Sequence, residues 1–81
     1  MIVPTKIWKE NNSEMALMVF SFFDNNHITY EFHLVKFFDD KNEVLKKKEY
    51  RDPLNKEEIA KDFGVKPKYV KKLLKELGYK T

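Results

Sequence analysis

The chain predicts an α+β fold: an N-terminal antiparallel β-hairpin, with residues 13–24 as a helix or an extra strand, packed on a C-terminal pair of helices. Three observations predict it. Ile28, Tyr30, Phe32 and Leu34 alternate with Thr29, Glu31 and His33, the period-two pattern of a half-buried strand. Gly64 and Gly78, the only two glycines, each close an apolar-periodic stretch, as a residue free to take φ > 0 does at a helix end. Between them Val70, Leu73, Leu74 and Leu77 recur at i, i+3, i+4 and i+7, a stripe that must be buried against something.

Residues 15–23, MALMVFSFF, admit two readings. Ser13 suits a helix N-cap with Glu14 in the first turn, and Met, Ala and Leu favour helix. The Val-Phe-Ser-Phe-Phe half favours a strand, which Asp24-Asn25-Asn26 would turn into the next one. Nearly every side of the segment is apolar, so it is expected to be buried all round. Helix is preferred, because the C-terminal pair needs a third element and no later stretch offers one. Trp8 is expected to pack over the core.

The hairpin covers residues 28–50. Asp39-Asp40-Lys41-Asn42 forms a turn cluster, and Val44 to Tyr50 return as a strand carrying Lys46, Lys47 and Lys48. Those three lysines either guard a solvated edge strand, the preferred reading, or touch a phosphate backbone. Arg51-Asp52-Pro53 breaks the strand.

The first C-terminal helix starts at Asn55, an N-cap residue with Glu58 three positions later, and Glu57 and Glu58 put negative charge in its first turn. Ile59, Ala60 and Phe63 form its apolar face. Val65 follows the turn glycine, and Pro67 suits the first position of the second helix, where its missing N–H costs nothing.

Residues 54–78 resemble the helix-turn-helix family of DNA-binding proteins. Ala60, Gly64 and Val70 stand at the family's close-crossing, turn and anchoring positions, supported by Ile59, Val65 and Leu73. The resemblance implies that helix 67–77 enters the DNA major groove. It implies Lys66, Pro67, Lys68, Lys71 and Lys72 as contact positions, with Lys75 further along, and Tyr69, in the first turn of that helix, is placed to reach a phosphate or a base edge. These positions are almost all lysine, where the family usually has some Ser, Thr, Gln, Asn or Arg. Lysine binds phosphate well as a point charge but reads guanine less rigidly than arginine.

Charge distribution supports double-stranded DNA as partner. Residues 1–40 carry three basic and six acidic side chains, and residues 41–81 carry thirteen and seven, which together give the net +3. From Lys66 onward there are six lysines and one acid, an electrostatic footprint on the segment proposed to face DNA.

At 81 residues the chain is expected to be a single domain, with residues 1–52 as a β-rich scaffold and possible dimerisation part. A charged fraction of 36% and no run near the ~20 apolar residues of a membrane span point to a soluble, cytoplasmic protein. Without cysteine there is neither a disulfide nor a thiolate metal site. His27 and His33 have no nucleophile or ligand-spaced carboxylate beside them and are expected in solvent. No catalytic residue, metal, cofactor or small-molecule ligand is therefore expected.

The reading is a transcriptional regulator acting as a homodimer on adjacent half-sites, since one small module makes few contacts. Two alternatives stay open. One is a protein-interaction module of viral or plasmid type that binds a host protein. The other is a DNA-binding replication or partition component.

Overall fold

The computed structural model describes residues 3–79. Four strands, β1 (Thr5–Glu10), β2 (Ser13–Asp24), β3 (His27–Phe38) and β4 (Lys41–Arg51), are followed by α1 (Lys56–Phe63) and α2 (Pro67–Leu77). The strands form one antiparallel sheet in the order β1-β2-β3-β4, and both helices pack on one of its faces. The fold is thus α+β, and the hairpin expected at residues 28–50 is β3–β4.

Turn chemistry fixes the meander. Glu10 pairs with Ser13, Asp24 with His27 and Phe38 with Lys41, so each connection has two central residues. Asn11 and Asn12 (φ 50° and 66°) and Asn25 and Asn26 (φ 48° and 66°) are all left-handed. This is the backbone of the two-residue hairpin turns whose twist matches that of the strands, and Asn tolerates it better than other residues with a Cβ. Asp39 (φ 54°) opens the third turn.

The preferred helix at residues 13–24 is overturned, because the segment is β2, a central strand. Its apolar continuity comes from burial on both faces. Leu17 and Val19 face the helices, while Ala16 lies on the other side, all three with no exposed surface. Full burial of the segment is corrected as well. Ser21 to Asp24 are exposed, Phe23 to 71%. The reason is length: twelve residues at ~3.3 Å each match the 40 Å long axis. The eleven residues of α2 reach only ~16 Å at 1.5 Å per residue. The β2–β3 tip therefore projects past the helical layer.

The sheet also takes the place of the expected third helix. Leu17, Val19, Tyr30 and Phe32 form one side of the core, and Ile59, Ala60, Phe63, Val70, Leu73 and Leu74 form the other. Full burial of a Leu, Ile or Phe side chain contributes about 1.5–3 kcal/mol each, so this seam carries most of the fold's cohesion. Register brings the apolar pairs together, with Val19 opposite Phe32 and Tyr30 opposite Tyr50. The Phe32 and Tyr50 rings meet edge to face with centroids 5.7 Å apart, a favoured aromatic geometry.

Both helices are capped as their sequences predict. The Asn55 side-chain oxygen accepts from the Glu58 backbone N–H at 3.0 Å. Gly64 (φ 67°) and Gly78 (φ 95°) end α1 and α2 in the left-handed region. At each end the glycine and its successor donate back into the last turn: Gly64 and Val65 to Lys61 and Ala60, Gly78 and Tyr79 to Lys75 and Leu74. Tyr79 does more than follow the cap. Its ring meets Tyr30 edge on, and its hydroxyl accepts from the Leu54 backbone N–H at 3.0 Å. It pins the end of α2 to the entry of α1.

Candidate nucleic-acid interface

The helix over residues 67–77 forms with those bounds, with Pro67 at its first position. At ~100° per residue, Lys68, Lys71, Lys72 and Lys75 share one arc of the α2 surface. Val70, Leu73, Leu74 and Leu77 share the opposite arc. The second group is buried or half-buried and the four lysines are exposed. Since the apolar arc packs on β1 and β2, the lysine arc points directly away from the sheet.

The one acid on α2 is Glu76, exposed four residues after Lys72, and no ion pair to the arc forms among the described residues. Among the described residues the ion pairs are His33–Glu31 and Lys48–Asp62, and neither includes a lysine of α2. Like charges at i,i+3 and i,i+4 on a helix each cost ~0.2–0.5 kcal/mol. Lys68–Lys71, Lys68–Lys72, Lys71–Lys75 and Lys72–Lys75 are all such pairs.

At the N-terminal end of α2, Lys66 and Pro67 are exposed beside an open cleft of about 550 Å³ lined also by Trp8, Glu10, Val65 and Tyr69. Tyr69 is half-buried, and its ring lies against Trp8 with centroids 5.1 Å apart. The Lys6 ammonium stands 5.0 Å from the centre of the Tyr69 ring, and those of Lys66 and Lys68 at 6.0 Å, within cation–π range. Tyr69 thus fastens the start of α2 to β1 and gathers three cations around itself. The Trp8–Tyr69 contact was not foreseen from sequence. The signal that would have found it is Asn11-Asn12, a hairpin turn that makes β1 a strand beside β2.

The three lysines of β4 separate. Lys46 and Lys48 lie on the helix-covered face and reach α1: Lys46 donates to the Asp62 backbone carbonyl, and Lys48 to the Asp62 carboxylate at 2.9 Å. The Tyr50 hydroxyl donates to the same carboxylate at 2.8 Å. The Lys48 and Tyr50 hydrogen bonds hold the Asp62 carboxyl below its ordinary value. Burial, and then the bond to Asp62, push the Tyr50 phenol upward. Lys47 points to the opposite face of the sheet, paired in register with His33. β4 is an edge strand, and its charged side chains suit that position.

His33 departs from its expected place in solvent. On the uncovered face of the sheet it bonds Glu31 at 2.6 Å and lies against Phe20, so its side chain is only 19% exposed. The bond from His33 is the main cause that lowers the Glu31 pKa. His27 is exposed at the start of β3. Among the described residues no three His, Asp or Glu side chains gather as a metal site, and no helix is long and apolar enough to cross a membrane. Comparison with family models, with curated proteins and with solved structures finds no match to this chain.

Proposed function

We propose that the chain is a small cytoplasmic DNA-binding protein, a transcriptional regulator, in which α1, the Gly64 turn and α2 act as a helix-turn-helix and α2 enters the major groove. The observation that carries this reading is the lysine arc. It has four cations on the outward side of one short helix, none in an ion pair among the described residues, with four like-charge spacings against the single attractive one from Lys72 to Glu76. A surface kept only for solubility has no need of that arrangement, and α1 achieves an exposed face with mixed charge. Lys66 extends the arc past the helix start, and Lys6 extends it onto β1.

The chemistry favours phosphate over base edges. Lysine gives no rigid bidentate fork to guanine, and Tyr69 is engaged with Trp8. Binding to duplex DNA should therefore be strong at low salt, steeply salt-dependent and modest in sequence preference. Lys46 and Lys48 are committed to Asp62, which supports leaving them out of the contact set.

Fluorescence anisotropy against mixed duplex DNA at several salt concentrations tests the reading. Replacing Lys71 and Lys72 together by alanine should lower affinity and flatten the log–log salt slope by about 1.8, from ~0.9 per phosphate contact, with helicity unchanged. An unchanged slope removes α2 from the interface, and no binding by the folded wild type removes the function. The apolar residues on the uncovered sheet face favour a second reading, a protein-interaction module of viral or plasmid type. A replication or partition role would share the same DNA interface.

A further inference from the structure

The helices cover one face of the sheet and leave the other bare. Register arranges that bare face in rows. One row, Ile7, Ala16, Val35 and Val44, crosses all four strands. Its ends, Ile7 and Val44, are 53% and 52% exposed, while Ala16 and Val35 form a buried floor between them. Met18, Phe20 and Phe22 continue the apolar surface along β2, with Phe22 42% exposed. The remaining corner is polar, built from Glu31, His33, Lys47, Glu49 and Arg51 across β3 and β4.

We infer that this face pairs with the same face of a second copy, giving a four-layer helix–sheet–sheet–helix dimer whose two lysine arcs point in opposite directions and bridge two DNA duplexes. The interface stands on the geometry of the face, and the bridging rests on the DNA-binding reading above.

Charge selects a copy of the chain as occupant. The bare face carries four carboxylates (Glu14, Asp24 at the β2–β3 tip, Glu31, Glu49) against three permanent cations (Lys9, Lys47, Arg51). It is close to balanced, one formal negative charge in excess, whereas the outer side of α2 is strongly basic. A nearly balanced surface holding both signs at its margins is self-complementary in a two-fold interface, where each patch meets itself reversed. An acidic partner or a nucleic acid finds no field here to attract it.

Area agrees. Three strands of about nine residues at ~3.3 Å and the shorter β1, all at ~4.8 Å spacing, give a footprint of roughly 520 Å² per copy. Two footprints total on the order of 1,000 Å² before corrugation is added, at the threshold for a specific interface. Aligned sheet-on-sheet packing is an ordinary way to bury two such faces.

The consequence for DNA follows from direction. The lysine arc points away from the sheet, and the interface lies on the sheet's far side. The two arcs of one dimer therefore face outward at opposite poles, and one straight duplex cannot reach both. The dimer does not read two adjacent half-sites as the homodimer expectation supposed. It joins duplexes, or distant segments of one molecule.

Sedimentation equilibrium across the micromolar range, on wild type and an Ile7→Lys/Val44→Lys double variant, tests the interface without DNA. Both substituted side chains are more than half exposed, so far-UV circular dichroism should be unchanged. The wild type is expected at twice the chain mass and the variant at the single mass. A monomeric wild type, or a variant that stays dimeric, overturns the interface. A bead-bound duplex is then offered a second, labelled duplex at low salt. Wild type should capture it, while the variant should bind the first duplex and capture none. A dimer that binds DNA without capture overturns the bridging arrangement. If neither protein binds the duplex, the DNA reading and the bridge fall together, and the mass alone decides the interface.

Discussion

α1 and α2 are alike on the inside and unlike on the outside. Each ends on a left-handed glycine, and each buries three apolar side chains to 5% exposure or less in the same seam. Outside, α1 mixes Lys56, Glu57, Glu58, Lys61 and Asp62 and is tied to β4 through Asp62. α2 presents Lys68, Lys71, Lys72 and Lys75 with Glu76 as its single acid, and none of the four lysines is in a described ion pair. Packing asks the same of both helices, so the difference between their outer surfaces is not explained by the fold. The proposed DNA-binding role accounts for it.

If the interiors are equivalent, equivalent truncations should cost alike. Leu73→Ala in α2 and Ile59→Ala in α1 remove side chains of similar volume at 0% and 1% exposure. Each should lower unfolding free energy by about 3 kcal/mol, within the 2–5 kcal/mol seen for such cavities, as read by urea denaturation. A chain of this size is expected to hold only ~4–12 kcal/mol in all, so both effects will be conspicuous. A large gap between the two would show that the sheet supports one helix much better than the other.

The glycine ends extend the comparison at smaller scale. A Cβ on Gly64 or Gly78 meets no atom within 4 Å, yet both residues sit at positive φ. Alanine at either position should cost about 1–2 kcal/mol from backbone strain alone, with the larger loss at Gly78, whose φ 95° and ψ 8° lie outside the left-handed well that a Cβ tolerates while those of Gly64 (67° and 32°) lie in it. Asn at Gly64 should recover part of it, since Asn visits the left-handed region more readily. Thermal unfolding of the three variants measures this directly.

The helices were legible in the sequence because their signals are local. Asn55, Gly64, Pro67 and Gly78 mark ends by their own backbone chemistry, and the i, i+3, i+4 stripe needs no knowledge of its partner. β3 was legible because one face is more polar than the other. β2 was not, because Leu17 and Val19 on one face and Ala16 on the other leave no alternation to read. That run of apolar residues fits a buried helix as well as a central strand. β1 escaped notice because six residues carry little pattern and its half-exposed Ile7 faces away from the core. The lysines of the candidate interface came from the resemblance of residues 54–78 to the helix-turn-helix family, and the helical period alone puts Lys68, Lys71, Lys72 and Lys75 on one arc. The Trp8–Tyr69 contact was not legible, since it depends on β1 lying beside α2, which only the sheet order fixes.

Reversing one charge on α2 separates what the fold wants from what the surface is for. Lys71→Glu removes the like-charge pairs with Lys68 and Lys75 and puts attractive ones in their place. With two repulsive pairs removed and two attractive ones gained at ~0.2–0.5 kcal/mol each, the variant should be more stable than wild type by about 0.8–2 kcal/mol while binding duplex DNA more weakly. The corresponding reversal on α1, Lys61→Glu, should leave DNA affinity nearly unchanged. A Lys71→Glu protein that loses stability, or keeps its affinity, would remove the argument that the lysine arc is held against the helix's own interest.

The smallest effect concerns the one outer contact that α1 has and α2 lacks. Asp62 has a lower pKa in the fold than its ordinary 3.8, first through Lys48 and then through Tyr50. A depressed carboxyl stabilises the fold above its unfolded value, and that support is lost as pH falls through the folded one. The α1 contact should therefore weaken below about pH 3.8. Tyr50 has the opposite sign. Its pKa is raised above the ordinary 10.0, so its contribution is present below that pH and fades as pH rises through the higher folded value. One contact thus gives way at both ends of the pH scale. Urea midpoints measured against pH should show Asp62→Asn flattening part of the acid limb, the rest belonging in part to Glu31, whose pKa is also lowered. Tyr50→Phe should flatten the alkaline limb and leave most of the acid one. If both limbs persist in both variants, the tie between β4 and α1 is not what holds α1 in place, and its seam residues alone must do so, as they do for α2.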